Sequence, residues 1–102
     1  MAKRKLPQPV LKYIKYLREH YQNIDKVYLF GSYIKENDTI ESDIDIAFIF
    51  DKVTDSFDLQ VQLMKIRRQY DTRIEPHVFS SEDFNDSHPF ANEVIRTGVE
   101  LE

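Results

Sequence analysis

The chain has 102 residues, of which 41% are hydrophobic and 13% aromatic, and a formal net charge of −4. This length predicts a single domain over residues 1–102, and the aromatic content argues against disorder. The acidic balance disfavours nucleic acid as the main partner, and the lack of cysteine excludes disulfides, thiolate zinc sites and cysteine nucleophiles. No apolar stretch approaches the roughly 20 residues that span a bilayer, so we expect a cytoplasmic protein without membrane contact.

The spacing of apolar residues predicts a small α/β protein in the order α-β-β-α-β-α. Helical periodicity marks residues 9–21, 57–70 and 89–97, and Gly98 follows the last helix where a helix C-terminus favours glycine. Short β-branched and aromatic runs mark strands at residues 26–30, 43–50 and 72–79. The strand 43–50 is apolar on both faces, which indicates a central position, whereas Pro76 favours an edge position for the strand 72–79. Leu101 and Glu102 are assigned to no element.

The first helix has one clear apolar face, formed by Val10, Ile14, Leu17 and Tyr21. These residues recur at intervals of three and four, as expected for a helix that packs on a core. We therefore expect the intervening basic residues of this helix to be solvated.

The candidate functional residues lie where the first strand ends and the second begins. Gly31 and Ser32 close the first strand, and Asp43 and Asp45 open the second after ten intervening residues. Because side chains alternate along a strand, both aspartates project to the same face, and Ile44 projects to the other. Two carboxylates suit Mg²⁺, which completes its coordination with phosphate and water oxygens. Gly31 allows a close approach of the backbone to a phosphate, and Ser32 offers a hydroxyl and an amide donor.

A third acidic residue, Glu75, is the candidate for completing a site with two metal ions. Strand alternation places Glu75 and His77 on the face away from Ile74 and Val78. Glu75 is also a candidate general base, although a plain surface ion pair with Arg73 is an alternative interpretation. His77 is explained at least as well by an ordinary edge-strand position, and it is left out of the predicted catalytic set.

Other nucleotide-binding and metal-binding motifs are absent from the sequence. There is no Walker A motif, and Gly31 and Gly98 are the only glycines, which excludes a glycine-rich dinucleotide loop. The three histidines are too scattered to suggest a zinc site. Several basic residues are candidates for neutralising a triphosphate, and the sequence selects none of them: Lys35, Arg67, Arg68 and Arg73.

The Gly-Ser pair followed after ten residues by Asp-x-Asp resembles the motif of the nucleotidyltransferase superfamily that includes DNA polymerase beta and kanamycin nucleotidyltransferase. The segment Ile74–His77 looks like the third-acid strand of its minimal bacterial branch, and the resemblance covers nearly the whole chain. It implies an α+β fold with a small mixed sheet and helices mainly on one face. It also implies transfer of a nucleoside monophosphate, AMP if the substrate is ATP, to an acceptor hydroxyl with the aid of two Mg²⁺ ions.

The resemblance also implies roles for the motif residues and a partner. Asp43, Asp45 and Glu75 would be the catalytic and metal-binding residues, and Gly31 and Ser32 would bind the nucleotide. Members of the minimal branch are antitoxins of HEPN-type toxin ribonucleases, so a HEPN-type protein or a second copy of this chain is the expected partner. One departure is Glu36, where family members often carry glycine. It leaves open two alternatives without catalysis: an antitoxin that acts by occlusion, and an ATP-binding sensor.

Overall fold

The computed structural model describes residues 6–31 and 43–101, which form three α-helices and four β-strands. Two antiparallel pairings, β1 with β2 and β1 with β4, and one parallel pairing, β2 with β3, give a mixed sheet in the order β3-β2-β1-β4. The elements are α1 Gln8–His20, β1 Ile24–Phe30, β2 Ile44–Phe50, α2 Ser56–Ile66, β3 Ile74–Ser80, α3 Pro89–Thr97 and β4 Val99–Leu101.

The predicted order α-β-β-α-β-α is confirmed for the first six elements, and it lacks the final strand. Leu101, which the sequence analysis assigned to no element, lies in β4. It pairs with Val27 of β1 and packs against the core. The predicted second helix ends earlier than residue 70, because the chain tightens into a 3-10 turn at Arg67–Gln69 before it enters β3. Asp55 caps the start of α2 by accepting a hydrogen bond of 3.0 Å from the Asp58 amide.

Helices cover both faces of the sheet, two on one face and one on the other. Helices α1 and α2 pack on the face that receives alternate β2 side chains, namely Ile44, Ile46, Phe48 and Phe50. Helix α3 packs on the opposite face against a smaller core that contains Ala47 and Ile49. The prediction that the helices lie mainly on one face and that residues 43–50 form a central strand is confirmed.

Tyr13 joins the two helices on the larger face. Its side chain is fully buried, and its hydroxyl donates a hydrogen bond of 2.8 Å to the carbonyl oxygen of Leu63 in α2. Burial raises the pKa of Tyr13, since a phenolate would lose its hydration there. The pair therefore ties α1 to α2 through a neutral hydrogen bond.

The outer edge of β3 is closed by side chains of α2 and of the turn that follows it. The side-chain amide of Gln60 donates to the carbonyl oxygen of Pro76 and accepts from the amide of Val78. Arg67 Nη1 donates to the carbonyl oxygen of Ile74 at 2.7 Å. Pro76 thus lies on an edge strand, as predicted. An N–H group at this position would point away from β2, so proline removes no hydrogen bond between β2 and β3. These contacts satisfy backbone groups that would otherwise be open to strand pairing.

Gly98 connects α3 to β4, where the chain passes close to two carbonyl oxygens. Its amide donates to the Val94 carbonyl oxygen at 2.8 Å, which ends the helix at the predicted residue. A Cβ atom at this position would lie 2.6 Å from that oxygen and 2.9 Å from the carbonyl oxygen of Leu29. Glycine is therefore required by lack of space, since its φ of −88° is accessible to other residues.

None of the helices in the two described stretches has the length and apolar composition needed to cross a lipid bilayer.

Candidate active site

The end of β1 brings a glycine against an acidic side chain of β2. Gly31 follows Phe30, whose register partner in β2 is Asp45. Gly31 has a φ of +85°, and a Cβ atom added to it would collide with the Asp45 carboxylate oxygen Oδ2. Both the backbone conformation and the close approach of this carboxylate therefore require glycine at position 31.

Asp45 and Glu75 are direct register partners on the parallel strands β2 and β3. Paired residues of a parallel ladder project to the same face, so the two carboxyl groups share the face on which α3 packs. Their side chains are 25% and 31% exposed, which leaves both accessible to a ligand. The structure therefore brings together one aspartate of the Asp-x-Asp motif and the predicted third acid, on the predicted face.

Each of these two carboxylates has one side-chain partner. His77 Nε2 lies 3.1 Å from Asp45 Oδ1, and Arg67 Nη1 lies 3.1 Å from Glu75 Oε2. Within residues 6–31 and 43–101, the second oxygen of each carboxylate accepts no hydrogen bond. The negative charge is thus partly compensated while one oxygen of each carboxylate stays available.

The imidazole of His77 contacts two phenylalanine rings, which also contact each other. Its centroid lies 5.1 Å from that of Phe30 in β1 and 5.5 Å from that of Phe90 in α3. His77 lies on the edge strand β3, as one interpretation of the sequence predicts, and its side chain also contacts Asp45. The spacing of the sequence carries no signal for this contact, which depends on the parallel register of β2 and β3.

Asp43 lies just before β2, and its side chain is exposed. In the two stretches that the structure describes, no three acidic or histidine side chains come together in a way that could hold a metal ion. Asp43, Asp45 and Glu75 are therefore not gathered into one metal-binding group in these stretches, and Asp45 and Glu75 are related by strand register. Ser32 and Glu36 lie outside the described residues.

Arg67 is the basic residue that contacts the site. Of the four candidates for neutralising a triphosphate, Lys35 lies outside the described residues. Arg73 forms an ion pair of 2.8 Å with Asp71. The alternative interpretation, in which Arg73 pairs with Glu75, is therefore not supported. Hydrogen bonds from Arg73 lower the pKa of Asp71. The partner of Glu75 is instead Arg67, eight residues earlier at the end of α2.

A cleft of about 850 Å³ adjoins His77, on the side away from Asp45 and Glu75, which do not line it. It lies towards the C-terminal ends of β2 and β3, and His77 and Phe90 form its boundary with the site. Its other walls come from the loops that follow β2 and β3, with Asp51, Glu82 and Asp83 as the acidic residues among the lining side chains. The site therefore has adjoining space in which a second molecule can be accommodated.

The donor chemistry at this end of the sheet fits a magnesium ion. Asp45 and Glu75 supply hard oxygen donors on one face, both are partly exposed, and neither is consumed by a buried ion pair. Gly31 adds a backbone that other groups can approach closely. Asp45 and Glu75 are therefore the described residues whose chemistry suits a metal, and each already has one basic side-chain contact.

The mixed sheet, with its acidic pair next to a glycine turn, has the architecture of a nucleotidyltransferase domain. The family described as "Polymerase beta, Nucleotidyltransferase" matches residues 12–101, which is most of the chain. The chain belongs to this family, and the family resemblance drawn from the motif is confirmed.

Solved structures support the same assignment. The chain aligns with a toxin–antitoxin complex containing AMP-PNP (TM-score 0.69, 25% identity, 94% of this chain and 73% of the other). It also aligns with the MntA–HpeT toxin–antitoxin mutant Y104A (TM-score 0.67, 26% identity, 96% and 73%). A third match is the tri-AMPylated HEPN toxin of Shewanella oneidensis in complex with MNT antitoxin (TM-score 0.62, 25% identity, 92% and 69%). None of the curated proteins matches the chain.

Proposed function

We propose that this chain transfers a nucleoside monophosphate, AMP from ATP, to a hydroxyl group of a partner protein and releases pyrophosphate. The observation that carries the proposal is the register pairing of Asp45 with Glu75 on one face, at the end of the sheet where β1 reaches Gly31. Family membership supports transferase chemistry, and the paired carboxylates support a role for magnesium.

The proposed roles of the residues follow from their chemistry and position. Asp45 and Glu75, joined by Asp43 when nucleotide is present, would hold magnesium, and two ions are expected as in the family's motif. Gly31 and Ser32 would bind the β- and γ-phosphates through their backbone and hydroxyl groups. When bound, magnesium offsets the negative charge that develops on the phosphate oxygens.

The proposed reaction is an in-line displacement at the α-phosphorus. The acceptor oxygen forms a bond to the α-phosphorus as the bond between this phosphorus and the bridging oxygen breaks, and pyrophosphate leaves with that electron pair. Glu75 accepts the proton of the acceptor hydroxyl on its oxygen Oε1, the one without a hydrogen bond in the described chain. Arg67 keeps the charge of Glu75 partly compensated and restrains its side chain.

The proposed partner is a HEPN-type toxin. Two of the similar structures are a tri-AMPylated HEPN toxin with MNT antitoxin and a toxin–antitoxin complex with AMP-PNP, and both observations belong to those proteins. Similarity of about a quarter of the residues over most of both chains supports the same kind of partner here. The cleft that adjoins His77 provides space for a segment of the partner.

Transfer of radiolabel from ATP tests the proposal. The protein is incubated with magnesium, ATP labelled at the α-phosphate and a purified candidate HEPN protein, and label on the partner is measured. We expect labelling by the wild type and none by Asp45→Ala. Asp25→Ala is the matched control, because Asp25 is an exposed aspartate near the start of β1 that does not line the cleft. Equal labelling by wild type and Asp45→Ala contradicts the proposal.

A second candidate function is an antitoxin that blocks its partner by occlusion, without transfer. Two observations favour it: Glu36 stands where relatives often carry glycine, and Asp45 and Glu75 already contact His77 and Arg67. The two functions separate in a neutralisation assay, since occlusion predicts that Asp45→Ala still binds and silences the partner. A third candidate, an ATP sensor, predicts magnesium-dependent ATP binding without release of pyrophosphate.

A further inference from the structure

The contact between His77 and Asp45 has a defined direction. An ionised carboxylate only accepts hydrogen bonds, so the 3.1 Å contact requires a proton on Nε2 of His77. His77 therefore donates to Asp45 Oδ1, and this donation fixes which ring nitrogen carries the proton in the neutral imidazole.

The position of the imidazole is determined by its neighbours. Phe30 and Phe90 contact the ring with centroid distances of 5.1 and 5.5 Å. Ala47, the register partner of His77 in β2, is fully buried and contributes only a methyl group on this face. The ring is thus confined by packing, and Nε2 remains directed at Asp45.

Asp45 is consequently restrained through one oxygen and lies close to Gly31 with the other. Oδ1 accepts the hydrogen bond from His77, and Oδ2 lies so close to Gly31 that a Cβ atom there would collide with it. The hydrogen bond restrains the side chain, and the glycine leaves room for Oδ2 in this orientation. Restraint of this kind places a metal ligand before the metal arrives and lowers the cost of binding.

We propose that His77 is a positioning residue that holds Asp45 with Oδ2 turned towards the Gly31 turn, where the nucleotide binds. This inference rests on the proposed function, because it concerns the affinity of the same site for magnesium and ATP. His77 acts through Asp45 and is distinct from the predicted catalytic set of Asp43, Asp45 and Glu75.

Three substitutions of His77 separate hydrogen bonding from packing. His77→Phe preserves an aromatic ring that contacts Phe30 and Phe90 and removes the donor. His77→Gln places an amide nitrogen three bonds from Cβ, as Nε2 is in histidine, whereas His77→Asn places it only two bonds away. The matched control is His20→Gln, since His20 is an exposed histidine of α1 that stacks on Tyr16 away from the site.

The experiment measures magnesium-dependent ATP binding by isothermal titration calorimetry on the full chain, with thermal unfolding as a check of folding. We expect His77→Phe and His77→Asn to weaken binding on the order of 10- to 100-fold, as is typical of residues that orient a metal ligand. His77→Gln and His20→Gln are expected to bind within about threefold of the wild type on the same grounds.

The outcomes distinguish the positioning role from the proposed function. One outcome is that the wild type binds ATP and that folded His77→Phe or His77→Asn binds it equally well. His77 would then only pack against its neighbours, so the positioning role would be overturned while the proposed function stands. If His77→Gln is as weak as His77→Asn, hydrogen bonding does not explain the effect and the inference is also overturned. If the wild type binds no better than Asp45→Ala, the proposed function fails and the inference fails with it.

Discussion

In the part of the chain that the structure describes, α1 and α2 cover a core of twelve buried residues on one face of the sheet, whereas α3 covers a core of six on the other face. The partly exposed side chains of Asp45, Glu75 and His77 lie on this second, less covered face. None of the buried residues in the described chain is polar or charged apart from the tyrosine hydroxyl of Tyr13. The larger core and the proposed site therefore lie on opposite faces of the same strands.

The two faces of the sheet differ residue by residue along β2. Ile44, Ile46 and Phe48 face the larger core, and Asp45 and Ala47 face the site. Because the side-chain period of a strand is two, a shift of one residue in register would exchange these roles. Substitutions at neighbouring positions of β2 should consequently have different effects, one set on folding and the other on ligand binding.

Phe48→Ala should have the largest effect on stability. Phe48 is fully buried in the larger core and contacts Tyr13 edge to face, with a centroid distance of 6.0 Å. Removal of its ring should lower the free energy of unfolding by about 3–5 kcal/mol, through lost burial and the cavity left behind. Urea denaturation measures the loss. Ile49→Ala, in the smaller core, should cost less, and a larger loss for Ile49→Ala would contradict the proposed difference between the faces.

Asp45→Asn should have a small effect on stability and a large effect on ATP binding. The amide has the same shape as the carboxylate and keeps contact with His77, so we expect the free energy of unfolding to stay within about 1 kcal/mol of the wild type. Magnesium-dependent ATP binding should be lost, because a charged ligand has been removed. Calorimetry and urea denaturation on one sample report both quantities. A large loss of stability with retained binding would show that Asp45 is structural.

Gly31→Ala should moderately lower both the stability and the affinity for ATP. A side chain at φ +85° is strained by about 1–2 kcal/mol, and its methyl group would displace the Asp45 carboxylate. We expect a destabilisation of this size together with weaker magnesium-dependent ATP binding, measured as above. Unchanged ATP binding in a folded Gly31→Ala protein would show that the contact between Gly31 and Asp45 has no part in the site.

The smallest effect concerns acid stability at the start of β3. Hydrogen bonds from Arg73 lower the pKa of Asp71, so the charged carboxylate favours the folded state. This contribution is complete above the unfolded pKa near 4 and is lost as the pH falls through the lower folded value. Denaturation at a series of pH values should show a slope below about pH 4 that is reduced in Asp71→Asn. The ion pair is partly exposed, so we expect less than about 1 kcal/mol.

Much of the fold could be predicted because it depends on local pattern. The apolar residues on both faces of 43–50 identified a central strand, Pro76 identified an edge strand, and Gly98 identified the end of α3. Strand β4 was missed because its three residues carry no pattern, and they become a strand only by pairing with β1. Tyr13 lay outside the face predicted for α1, since its burial depends on the position of Leu63 in α2.

The sequence proposes the acidic residues of the candidate site, whereas it gives no signal for their side-chain partners. Alternation alone placed Glu75 and His77 opposite Ile74, as the structure confirms. The contacts of His77 with Asp45 and of Arg67 with Glu75 join residues 32 and 8 positions apart, on elements whose relative placement is set by packing. A sequence gives the chemistry of these residues, whereas the sheet register decides which of them meet.

The way Gln60 and Arg67 close the outer edge of β3 has a consequence for assembly. Chains that aggregate by adding strands need a row of open amide and carbonyl groups as a template, and three such groups of β3 are already bonded to α2 and its following turn. An incoming strand would have to dislodge the helix and overcome the missing amide of Pro76. Growth of this sheet into a fibril is therefore blocked on the side that carries Glu75.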